Sequence, residues 1–152
     1  MSVVARQRDV GGKPRLARRA VVVGELSVSP STRSAIRARR VEKGDPVSTG
    51  ELAGLLAMKR TPELIPHCHS VPLTSSSVDV RVSRRGVRVQ AEAEAVDRTG
   101  VEMEALVGAT VALLTVWDMV KYLEKDGRGL YPHTSLGPVR VVVKRKGKGN
   151  VP

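Results

Sequence analysis

Apolar and polar positions along this chain change their spacing several times, and the changes mark the elements. Arg18–Val28 is apolar and β-branched through Ala20, Val21, Val22 and Val23, which predicts a first strand. Val78, Val80 and Val82 alternate with polar residues. So do Val87, Val89, Ala91, Ala93 and Ala95, across a Ser83-Arg84-Arg85-Gly86 turn. That pattern predicts a hairpin. Val139, Val141, Val142 and Val143 predict a last strand over Pro138–Lys144.

Helical spacing fills the gaps. Ser31 or Thr32 is positioned to cap a short helix through Arg33–Arg40, with Arg33, Arg37, Arg39 and Arg40 making its face basic. Gly44-Asp45-Pro46 reads as its end. Ser48 or Thr49 then caps a second helix, with Leu52, Leu55, Leu56 and Met58 apolar up to Lys59-Arg60-Thr61. The stretch Pro62–Pro72 is bracketed by prolines, so it predicts a loop or one helical turn. Glu102 to Glu124 predicts the main helix. Its apolar positions cover more than one face, as for a helix buried by a sheet and also by a second subunit. Gly127–His133 is a loop. Strand, two helices, hairpin, long helix and strand give an α+β domain. Its helices lie on one face of an antiparallel sheet, a layout compatible with a ferredoxin-like arrangement. Residues 1–17 read as a flexible basic arm, 18–144 as the single domain and 145–152 as a flexible basic tail.

Composition narrows the function. The net charge is +11, which favours anionic partners. Only 2% of residues are aromatic, with no phenylalanine, so there is little platform for stacking single-stranded bases. A phosphate-rich small ligand therefore ranks above nucleic acid. One cysteine, Cys68, excludes an internal disulfide and fits a reducing compartment. The N-terminus lacks a signal-peptide core and no apolar run approaches transmembrane length, which points to a cytoplasmic protein with no membrane partner.

The chemistry concentrates at the two ends of the main helix. Glu102 and Glu104 sit at its mouth. Asp118 and Lys121, three apart, share a face near its end. Glu104 and Asp118 also lie close to one face, but fourteen residues of helix span about 21 Å. They cannot meet within one chain. Gly108, Ala109 and Ala112 are small enough for two such helices to cross closely near Val111. A two-fold dimer would then set Glu104 of one chain near Asp118 and Lys121 of the other. The alternative is that the glutamates only favour the helix start and that Asp118–Lys121 is a surface pair. Arg18, Lys43, Lys59, Arg60 and Lys121 are cations at turns and element ends, which either clamp a polyphosphate or serve only solubility. His67-Cys68-His69 has the wrong spacing for chelation, and His133 is the only other histidine, so no metal site is predicted. No phosphate-binding glycine loop or dinucleotide fingerprint is present.

Several stretches occur together in an order that carries a resemblance. They are Lys43-Gly44-Asp45, Ala57–Thr61, Leu64–His69, Thr99–Leu106, Asp118–Lys121 and Gly137–Arg140. From Asp9 to Arg140 the chain resembles the cyclic pyranopterin monophosphate synthase family, molybdenum cofactor biosynthesis protein C. The resemblance implies a ferredoxin-like subunit, a homohexamer built as a trimer of dimers, and active sites at dimer interfaces. It implies conversion of 3′,8-cyclo-7,8-dihydro-GTP to cyclic pyranopterin monophosphate with release of pyrophosphate. That step follows a radical enzyme and uses no metal or redox cofactor. The family's functional residues fall on Lys43, His69, Glu102, Glu104, Asp118 and Lys121, with Arg18, Lys59 and Arg60 as ligand contacts. Asp118 becomes the candidate acid/base, with Lys121 and Lys43 on phosphate or proton transfer. The chain departs from the family pattern in a longer Gly127–His133 loop and in its Lys-Arg-Lys-Gly-Lys-Gly end.

Overall fold

A computed structural model describes residues 4–147; residues 1–3 of the predicted arm and 148–152 of the predicted tail lie outside the described residues. The elements in chain order are β1 (Leu16–Ser27), α1 (Pro30–Arg37), α2 (Pro46–Lys59), α3 (Thr61–Leu64), β2 (Leu73–Val82), β3 (Gly86–Asp97), α4 (Glu102–Glu124), β4 (Ser135–Leu136) and β5 (Arg140–Lys146). The sheet runs β2-β3-β1, and both β4 and β5 pair with the far edge of β1. All these pairings are antiparallel. Two interlocked βαβ units make this a ferredoxin-like α+β fold.

The period-two pattern places the core. Ala20↔Ala93, Val22↔Ala91 and Leu26↔Val87 are cross-strand partners, and all six residues are buried. Val80 of β2 extends the row opposite Val89. The intervening positions face away from the helices and are mixed: Arg19 pairs with Glu92 and Glu94, and Val21 and Val23 follow along the same strand. One face is therefore apolar and covered by helices, and the other mixes charged side chains with valines.

α4 lies on the apolar face. Ala105, Ala109, Ala112, Leu113, Val116 and Val120 are fully buried. By length and composition α4 is able to cross a bilayer, contrary to the expectation that no run approaches that length. Half of its most apolar stretch is buried in the fold, which marks a core helix. The small residues of α4 also do something the sequence reading did not foresee. Gly108 and Ala112 receive α2 of the same chain, not α4 of another. A Cβ on Gly54 would lie 2.7 Å from the Gly108 carbonyl oxygen, and one on Gly108 would lie 2.4 Å from Met58 Cγ. Gly54→Ala is expected to destabilise the fold by about 1–3 kcal/mol, since backbone must shift to admit the methyl. Denaturant unfolding checks this against Gly12→Ala, where a Cβ meets nothing within 4 Å.

Both helix starts differ from the predicted ones for one reason. α1 is capped by Ser29, whose hydroxyl accepts from the Thr32 amide, and α2 by Asp45, whose carboxylate accepts from the Val47 amide. In each case proline takes the first helical position, where its missing N–H costs nothing and its φ already suits a helix. Asp45-Pro46 is thus a start, not a stop. The proline-bracketed stretch forms the single turn of α3. The last strand runs on to Lys146 and puts Lys144 opposite Ala20.

Candidate active site

The last turns of α4 hold a compact charged group. Asp118 Oδ1 accepts from Lys121 Nζ at 2.7 Å, and Oδ2 accepts from Lys43 Nζ at 2.9 Å. Lys43 Nζ also donates to the Asp118 carbonyl oxygen at 2.9 Å. The three residues come from the α1–α2 connection and one turn of α4, and all are about half exposed. Hydrogen bonds from Lys121 and then Lys43 lower the Asp118 carboxyl to about 2. The same bond to Asp118 raises Lys121. Asp118 is therefore an anion throughout the physiological range, and Lys121 a firm cation.

All three aromatic residues of the chain stand at this end. Trp117 and Tyr131 meet edge-to-face, centroids 5.9 Å apart. The Tyr122 hydroxyl accepts from the Glu42 amide at 2.8 Å, one residue from Lys43. The long loop that carries Tyr131 is tightly built. The Asp126 carboxylate accepts from the Arg128 and Leu130 amides. Glu124, buried, accepts from the Ser29 amide and hydroxyl and from the Thr134 hydroxyl.

The N-terminal end of α4 is different in kind. Glu104 is 1% exposed. Cys68 Sγ donates to its Oε1 at 3.8 Å, and its Oε2 has no hydrogen-bond partner among the described residues. Burial raises the Glu104 carboxyl, and the neighbouring Glu102 charge adds to this. Burial, then Glu104, raises the Cys68 thiol. Cys68 and His69 are held from the N-terminal arm: Gln7 Nε2 donates to the Cys68 carbonyl, and His69 Nε2 lies 2.7 Å from the Arg8 carbonyl. Glu102 pairs with Lys144 at 2.5 Å. Burial alone would raise Glu102, but the Lys144 hydrogen bond, its own backbone amide and the Arg18 charge together lower it. Gly100 makes room for this carboxylate, because a Cβ there would sit 1.9 Å from Glu102 Oε2.

Beside Glu102 opens a cleft of about 480 Å³ lined by Lys13, Pro14, Arg18, Arg98, Thr99, Gly100, Lys144 and Lys146. Arg18 is braced there by the Asp97 and Arg98 carbonyls, and Arg98 by the Lys13 carbonyl. Five cations around one cleft give it a positive field suited to an anion, with Lys144 also paired to Glu102. Lys59 and Arg60 stand exposed at the C-terminal end of α2, toward the same end of α4.

Of the residues expected from sequence, the structure thus joins Lys43, Asp118 and Lys121. It separately joins Arg18 with Glu102, and sets His69 next to Cys68 at Glu104. It does not join the two sets, which α4 holds about 21 Å apart. Sequence reading missed Lys144, Lys13, Arg98 and Lys146. The available signal was the alternation of the last strand: continued past Lys144, it makes the basic end part of the sheet.

A family model described as the MoaC family matches residues 7–147. The chain belongs to the MoaC family. Its relatives include three archaeal proteins, each named probable cyclic pyranopterin monophosphate synthase. That of Aeropyrum pernix is 50% identical over 139 residues, 91% of this chain and 95% of the relative. That of Methanosarcina acetivorans is 48% identical, covering 94% and 90%. That of Pyrococcus abyssi is 46% identical, covering 91% and 87%. The MoaC match spans both ends of α4, the cation-lined cleft and the Tyr131 loop. Among the described residues no cluster of three His, Cys, Asp or Glu side chains suits a metal.

Proposed function

We propose that this MoaC-family chain is a cyclic pyranopterin monophosphate synthase of molybdenum cofactor biosynthesis. It converts 3′,8-cyclo-7,8-dihydro-GTP to cyclic pyranopterin monophosphate and releases pyrophosphate, acting after the radical enzyme that makes its substrate, in the cytoplasm. The observation that carries this reading is the Lys43–Asp118–Lys121 group, in a chain whose other site gathers five cations in one cleft.

Making a cyclic monophosphate from a triphosphate requires a substrate hydroxyl to displace pyrophosphate from the α-phosphorus. Negative charge builds on the leaving group, and preplaced ammonium and guanidinium groups stabilise it. Arg18 and Lys144 serve that purpose in the cleft, with Lys59 and Arg60 as further contacts. Rearranging the purine-derived rings also needs proton donors and acceptors. Asp118 is too acidic to be the donor. Its role is to hold Lys43 and Lys121 at one point, where either ammonium can turn to the ligand. Glu104, protonated more readily than a free carboxylic acid, and His69 are the better-placed proton carriers at the other end. Glu102 orients Lys144.

The assembly belongs to the same proposal. The outward sides of α2 and α4 carry exposed Leu52, Leu56, Met103 and Leu114. Covering them with a second copy sets one chain's Asp118 end against the other's cleft, within a homohexamer arranged as a trimer of dimers. Incubation of the protein with 3′,8-cyclo-7,8-dihydro-GTP tests the function. The expected products are pyrophosphate and the cyclic phosphate. Unchanged substrate would sink the proposal.

A further inference from the structure

The segment that carries Lys43 has few attachments. Val41 is buried ahead of it. Gly44, with φ +104°, closes a turn onto the Val41 carbonyl, and Asp45 begins α2. Between these, Glu42 and Lys43 are fastened to α4 at two points one helical turn apart. The Lys43 ammonium bonds Asp118. The Glu42 amide donates to the Tyr122 hydroxyl at 2.8 Å.

The two fastenings differ in what can undo them. Lys43–Asp118 is a half-exposed ion pair, and any anion that draws Lys43 competes with Asp118 for it. Glu42–Tyr122 joins a backbone amide to a phenol hydroxyl. Neither partner answers to the charge of a ligand. When Lys43 leaves Asp118, the tyrosine is what still holds its backbone.

We propose that Tyr122 is a positioning residue whose hydroxyl clamps the peptide beside Lys43 to α4, so that the ammonium can pass from Asp118 to an anionic ligand while its backbone stays in place. This rests on reading Lys43 as a substrate-contacting group of the proposed synthase. Tyr122 itself touches no reacting atom. Its effect is geometric, and misplacing a catalytic group by about 1 Å is enough to cost ~10²-fold in rate.

Tyr122→Phe removes the acceptor and keeps the ring. Three measurements on the full-length protein decide the matter. Amide exchange at Glu42 is expected to speed up while the α4 amides keep their protection. The Asp118 carboxyl, followed by NMR, is expected to rise from about 2 toward the ordinary range, with Lys121 still holding it partly down. Turnover is expected to fall by about 10-fold, chiefly in kcat, whereas in a Lys43→Ala background the same substitution costs less than about twofold, the non-additivity of two residues acting through one contact. Equal losses in both backgrounds, or an unmoved Asp118, would overturn the proposal. If Tyr122→Phe fails to fold, Glu42→Pro deletes the same hydrogen bond from its donor side. The first two measurements need no substrate, so they judge the clamp even if the proposed reaction is wrong.

Discussion

Asp118→Ala is expected to lower pyrophosphate release from 3′,8-cyclo-7,8-dihydro-GTP by about 10³-fold, the upper range for loss of one preorganised electrostatic group. The size follows from how many contacts end on this carboxylate. Both its oxygens are used, one by each lysine, and Lys43 adds a bond to the Asp118 carbonyl. Without the carboxylate the two ammonium groups repel, and both lose their fixed place. Asp118→Asn is expected to be nearly as damaging, because the amide keeps the shape and loses the charge. Stability should change little, since exposed ion pairs contribute little to folding. Steady-state rates alongside thermal unfolding separate the two effects. A variant that melts like the wild type and turns over within tenfold of it would refute this role.

The pH dependence of the same group has a definite sign. The folded-state pKa of Asp118 is lowered from 3.8 to about 2. Its contribution is therefore complete above the ordinary carboxylate range and is lost only as pH falls through about 2. Asp118 cannot produce the acid limb of a rate profile near neutrality. Any such limb belongs to another group, and Glu104, shifted the opposite way by burial, is one such candidate. Two carboxylates on one helix are thus shifted in opposite directions by their surroundings, Glu104 upward by burial and Asp118 downward by its two lysines.

Much of this was legible in the chain. The main helix was expected over Glu102–Glu124 and occupies those residues. The hairpin alternation was strong because one sheet face is buried and the other charged, so each position had a single correct side. Failures came where two meanings share one signal. Pro46 reads equally well as a stop or as the first residue of a helix, and only the Asp45 side chain on the Val47 amide decides. Gly108 and Ala112 announced a close helix contact without saying whose, and α2 was the answer. Lys43 and Asp118 stand 75 residues apart, and no periodicity links them. The burial of Glu104 was hidden for a similar reason: a carboxylate at a helix start looks exposed until Cys68 closes over it. Lysine and arginine dominate the chain after Lys144 and predict a tail there, yet Arg145 and Lys146 complete the edge strand β5, whose charged residues are a common protection of open sheet edges.

The distance along α4 yields the second large prediction. The Lys43–Asp118–Lys121 group and the Arg18–Glu102–Lys144 cleft lie at opposite ends of a helix that spans about 21 Å between Glu104 and Asp118. If each active site takes one end from each of two chains, a chain altered at Lys121 and a chain altered at Glu102 spoil different halves. Lys121→Ala and Glu102→Gln are each expected to be inactive alone. Both side chains are partly exposed, so the fold should survive both changes. In a two-fold dimer formed from equal amounts of the two, about half of the dimers are mixed. Each mixed dimer has one site carrying both substitutions and one carrying neither. About a quarter of the wild-type activity should therefore return on co-expression or subunit exchange. Persistent inactivity in demonstrably mixed dimers would place each site within a single chain. Recovery near a quarter has no explanation in which the two ends of α4 act on separate substrates, because then every chain would still carry its own defect.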